Sequence, residues 1–162
     1  MSTETVNQVV ERLVQAGPLT EMRFAALLGA TFQPSEMSPF WRGFTFELAE
    51  GPFARGELRL NTGEDGALVI LEPRDPPGLG RGDVDRAALG TRLGMRPNPN
   101  IPPEGVDIEY FRKDAVQVTV EWTRNSRRLR SLALEWEPPT TAGTGGTTVY
   151  DTVGESRLTG SA

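Results

Sequence analysis

The sequence predicts an α+β fold: antiparallel meander sheet with short helices packed on one face. Two observations carry this. Near the start, Val6, Val9, Val10, Leu13 and Val14 recur at helical spacing. Further on, runs such as Val116-Gln117-Val118-Thr119-Val120-Glu121-Trp122 alternate apolar and polar residues with period two, and turn signals separate them. With 162 residues the chain suffices for one hydrophobic core. Folding at this size buries ~68–70% of the surface the unfolded chain exposes.

A first helix is predicted over residues 4–16, ended by Gly17-Pro18. Thr20 is a good N-cap for a second over 21–29, with Phe24, Leu27 and Leu28 buried and Gly29 as the stop. After a Pro-containing loop, Phe44, Phe46 and Leu48 alternate on one strand, and Leu58 and Leu60 on the next. Asn61 to Gly66 signals a hairpin into Ala67-Leu68-Val69-Ile70-Leu71. These make a three-stranded meander. Residues 73–82 read as a loop, 84–93 as a short helix capped by Asp83 and ended by Gly94, and 95–105, with four prolines, as a second loop. Three more strands follow. In the first, Ile108 and Tyr110 alternate with Asp107 and Glu109, which read as outward, solvated carboxylates. The second is the Val116–Trp122 run, facing inward at Val116, Val118, Val120 and Trp122. The third carries Leu132, Leu134 and Trp136.

The folded body is therefore expected over 1–137. From Pro138 the chain is rich in Thr, Gly and Ser, and 138–162 reads as a flexible tail. The halves 1–75 and 83–137 parallel each other, so a tandem helix–three-strand repeat stands beside the view that any helix-plus-meander pair aligns this well.

Composition excludes several chemistries. Without cysteine there is no disulfide, thiolate metal site or cysteine nucleophile. Without histidine the commonest general base and transition-metal ligand are gone. The net charge is −5, and residues 1–80 carry all of it, with 11 acids against 6 bases. That repels nucleic acid and favours encounter with a basic partner. Lys113 is the only lysine among 17 basic residues, a codon bias of high-GC bacterial genomes. No basic start or apolar run of membrane length is visible, so the expected location is the cytoplasm, with no membrane partner.

No motif predicts a catalytic residue, a metal site or a cofactor. Gly78-Leu79-Gly80-Arg81-Gly82 follows a strand like a phosphate loop but lacks the fingerprint spacing and sits among antiparallel strands. Asn61 to Glu72 fits a calcium loop only in part, with Gly63 where a ligand should stand. Arg124, Arg127, Arg128 and Arg130 form a basic spot that could hold phosphate, although Glu121 and Glu135 lie near in sequence. The Asp107/Glu109 and Glu47/Glu57 pairs could do acid–base work only if burial split their pKa values.

The candidate partner-binding residues are Phe40, Trp41, Glu47, Glu57, Asp65, Glu72 and Asp75. Phe40-Trp41, flanked by Pro39 and Arg42, reads equally as core or as an exposed anchor, since Trp and Arg are enriched at interface hot spots, and the acids lie on or beside the first three strands. The helical segment Leu19-Thr20 to Leu27-Leu28-Gly29 and the meander from Gly51-Pro52-Phe53 to Leu60-Asn61 carry a resemblance in layout. The body resembles small bacterial inhibitors of the β-lactamase inhibitory protein type, and the immunity proteins that neutralise polymorphic toxins. The chain departs from the inhibitor plan in offering one helix, not two, in its second half, and in lacking a signal peptide and disulfides. The resemblance implies a non-enzymatic, cytoplasmic immunity or antitoxin protein that covers a cognate, more basic toxin. A small-ligand-binding protein or carboxylate-dependent enzyme, with its ligand between sheet and helices, is one alternative. A secretion-system chaperone or adaptor is another.

Overall fold

The computed structural model describes residues 4–17, 20–62, 66–76, 78–102 and 104–136. The expected tail over 138–162 and the acidic pair Glu64-Asp65 lie outside the described residues. Helix α1 (Val6–Ala16) opens on a capping box. The Thr5 hydroxyl accepts from the Gln8 amide at 3.1 Å, and the Gln8 side chain accepts from the Thr5 amide at 2.8 Å. Helix α2 (Glu21–Leu28) is capped by Thr20, which accepts from the Arg23 amide at 3.3 Å.

The strands form a single eight-stranded antiparallel sheet, β1 (Phe32–Met37), β2 (Trp41–Glu47), β3 (Phe53–Asn61), β4 (Ala67–Pro73), β5 (Thr91–Asn98), β6 (Val106–Lys113), β7 (Val116–Thr123) and β8 (Leu129–Trp136). Their order is β1-β2-β3-β4-β8-β7-β6-β5. Each half is a four-stranded meander, and the two meet where β4 pairs with β8, Val69 opposite Leu134 and Leu71 opposite Leu132.

The register aligns the core across the sheet. Phe44, Leu58, Val69, Leu134, Val118 and Phe111 form one continuous row, strand by strand. All six are buried, together with Val9, Val10, Leu13 and Phe24 from the helices. Phe24 meets Trp136 edge-on at 5.6 Å between centroids. The layer between helices and sheet, where an alternative reading put a ligand, is filled by these side chains. Val118 is fully buried, as its inward assignment requires.

Three expectations need correction. The loop expected between α2 and the first strand contains β1, an edge strand that can hold Pro34 because one side of its ladder is unpaired. The helix expected over 84–93 is replaced by two 3-10 turns, Arg81–Asp83 and Arg86–Leu89, followed directly by β5, which takes in much of the expected 95–105 loop. Gly90 makes the switch. Its φ is +118°, and a side chain there would collide with the Arg112 backbone of β6, so the chain leaves the turn pressed against its partner strand. Asp83 caps no helix; its carboxylate accepts the Gly80 amide at 2.8 Å.

The third correction concerns β6. Glu109 is not solvated but fully buried, on the same face as Phe111. Val106, Ile108 and Tyr110 face the other way and form a small cluster of their own with Ile101. This strand is apolar on both sides, so alternation alone could not set its phase.

Candidate partner-binding face

The helices cover one face of the sheet; the opposite face carries Glu47, Glu57, Glu72 and Glu121. On that open face Thr45, Glu57 and Ile70 lie side by side across β2, β3 and β4, and Glu47, Arg55 and Glu72 form the neighbouring row. All but Ile70 line a groove of about 540 Å³, whose walls also include Gln33. A second groove, of about 430 Å³, crosses the β4–β8 seam between Ile70, Glu72, Thr119, Glu121, Arg130 and Ala133. Glu72 borders both, so the two grooves adjoin as one shallow trough over six strands, with apolar area between its charged side chains.

The acids in the trough are largely matched. Glu57 pairs with Arg59 at 3.1 Å, Glu72 with Arg55 at 3.4 Å, and Glu121 with Arg130 at 2.7 Å. Glu47 is exposed and makes no ion pair among the described residues. Such exposed pairs contribute ~0.2–1 kcal/mol each, so they shape the surface more than they stabilise it. Within the trough, Glu47 is the acid left without an ion pair among the described residues.

The seven candidates therefore divide. Glu47, Glu57 and Glu72 come together in the trough. Phe40 and Trp41 sit at the β1–β2 turn, at the opposite end of β2 from Glu47. There the Ser38 hydroxyl accepts both their amides, at 3.1 and 3.0 Å, and Thr62 binds back to the Pro39 and Phe40 carbonyls. Phe40 is 69% exposed, and Trp41 is half-buried. Asp75 is exposed in the loop after β4, apart from both groups. Asp65 lies outside the described residues.

Sequence reasoning missed the fully buried carboxylate of Glu109. The Glu109 carboxylate receives Arg86 on both oxygens, Arg92 at 2.7 Å and the Trp122 indole N–H at 3.2 Å. Burial pushes its pKa up, but the hydrogen bonds from Arg86, Arg92 and Trp122 outweigh that and hold it at about 2. A carboxylate so firmly ionised is a poor general acid, which counts against the carboxylate-enzyme alternative at this pair. The signal was the shared face of Asp107, Glu109 and Phe111, visible only once Phe111 is given priority over Ile108 and Tyr110. No protein-family model, curated protein or solved structure matches the chain.

Proposed function

We propose that the chain is a protein-binding factor of the immunity or inhibitor kind, which neutralises a cognate bacterial toxin by docking it on the open face of the sheet. The observation that carries this reading is the trough from β1 to β7, an extended recess with ion-paired rims and half-buried Ile70 on its floor. Grooves of this shape suit a protruding loop of a partner, with the paired charges giving register rather than raw affinity. The same reading puts the chain in the cytoplasm, where the toxin would be held inactive. It also takes the two meanders as a duplicated unit, which the symmetric strand order supports.

The test is capture of a partner from the native host, followed by binding kinetics at two salt concentrations. Glu72→Lys, at the junction of the two grooves, should weaken binding at least about tenfold with little change in melting temperature. Glu47→Gln should lower the association rate at low salt and lose its effect at high salt. Unchanged binding by Glu72→Lys, with binding lost instead in Phe40→Ala or Trp41→Ala, would move the interface to the β1–β2 turn and sink the trough.

A further inference from the structure

The two stretches that hinted at phosphate chemistry, far apart in sequence, are joined in the fold. Gly80 and Arg128 form an isolated antiparallel bridge, and the Leu129 amide donates to the Leu79 carbonyl at 2.8 Å. Gly78, at φ +73°, packs against the end of the Arg128 side chain. The bridge brings Arg81 over the face of Trp122, with its guanidinium 5.0 Å from the ring centroid. The Arg81 side chain makes neither a hydrogen bond nor an ion pair among the described residues, and its buried Nε has no partner.

The neighbourhood is rich in positive charge. Arg86 and Arg92 share Glu109, while Arg124 and Arg127 lie 3.5 and 3.7 Å from Asp107. Five guanidinium groups, counting Arg81, thus face two carboxylates that are already engaged. Burial lowers the Arg81 pKa, and repulsion from Arg86 and Arg127 lowers it further. The turn that carries Arg127 is rigidly built. Glu104 accepts the Asn125 amide at 2.6 Å and the Ser126 amide at 3.0 Å, and Thr123 accepts the Arg128 amide at 2.9 Å. Arg127 itself sits in the left-handed region, φ +58°. Guanidinium groups gathered on a fixed frame, the Arg81 side chain among them unpartnered, are arranged for an anion with more than one charge.

We infer that Arg81, Arg127 and Arg86, over Trp122, form a site for a phosphate dianion, free or carried on a small ester. A monoanionic carboxylate would leave most of the excess charge unmatched. A phosphate offers several acceptor oxygens to the unpartnered guanidinium and its neighbours. The acidity of the whole chain does not oppose this, because the net negative charge resides in residues 1–80 and the site is built from residues of 81–162.

The test is a titration of the full chain with inorganic phosphate and, separately, with glycerol phosphate, following the Trp122 indole N–H and arginine Nε–H signals by NMR. Chloride and acetate at matched ionic strength serve as controls. A saturable shift with phosphate alone among the inorganic ions is expected, weakened about tenfold by Arg81→Gln and by Arg127→Gln. Arg59→Gln, on the open face, should leave it unchanged. Tighter binding of glycerol phosphate would mark an ester as the natural form, and tighter binding of inorganic phosphate the free ion. Equal shifts with chloride or acetate would overturn the inference, as would binding unaffected by both arginine variants. If Arg81→Gln melts early, the exposed Arg127→Gln decides alone.

Discussion

Glu109 couples stability to pH. Its folded pKa, about 2, lies below the ordinary glutamate value. The stability it contributes is thus complete above the ordinary value and is lost as pH falls through about 2. The difference is worth about 3 kcal/mol, and burial of the side chain leaves little of it to solvent screening. Urea midpoints should therefore fall steeply between about pH 5 and pH 2 in the wild type. Glu109→Gln should be less stable at neutral pH by about 3 kcal/mol and show a shallower acid limb; equal acid limbs would mean other groups dominate. Val118→Asp tests the opposite face of the argument. Its carboxylate would enter the core row between Leu134 and Phe111, at a cost of several kcal/mol that approaches total stability. A soluble variant that melts cooperatively would contradict the packing. Val118 was legible in the sequence because its strand alternates cleanly. Glu109 was not, because burying a carboxylate depends on Arg86 and Arg92, which arrive from other segments.

At the scale of elements, the legible parts are those with their own local signal. Thr20 announces α2, and the hydrophobic spacing in α1 names its buried stripe; the Thr5 cap falls inside the 4–16 helix the sequence suggested. Strands β2 to β4 and β6 to β8 carry enough apolar residues to be seen alone. The two edge strands do not. β1 contains Pro34, and β5 contains Gly94 and Pro97 with mostly exposed side chains, so pairing with β2 and β6 specifies them more than composition does. Gly90 is where that non-local control acts, and it supplies a comparison. Gly90→Ala should destabilise by more than 1 kcal/mol, because both the positive φ and the Arg112 backbone resist a side chain. Gly82→Ala, at a position with open space around it, should change thermal unfolding little. Equal melting temperatures for the two would show that the turn into β5 relaxes freely. The capping box invites a milder test: Thr5→Ala should cost about 1 kcal/mol by urea denaturation, with β-sheet circular dichroism unchanged.

For the whole molecule, the core runs without a break across the β4–β8 seam, which predicts a single cooperative transition. Single-tryptophan variants reporting from Trp41 in the first meander and Trp122 in the second should give superimposable unfolding curves. Displaced curves would divide the body at the seam. The α+β class and the placement of helices on one face followed from pattern alone; the single continuous sheet did not, because nothing local in β4 or β8 declares that they pair. That seam has a kinetic consequence. Six of the seven strand pairings are hairpins between neighbours in sequence, while Val69 reaches Leu134 across the whole second meander. Each half can zip up through short-range contacts, but the sheet closes only by one long loop of about 60 residues, whose closure entropy is met once. The time the chain takes to fold is then governed by how often two preformed halves meet edge to edge, and until they do, the β4 and β8 edges stand open to pairing with another chain.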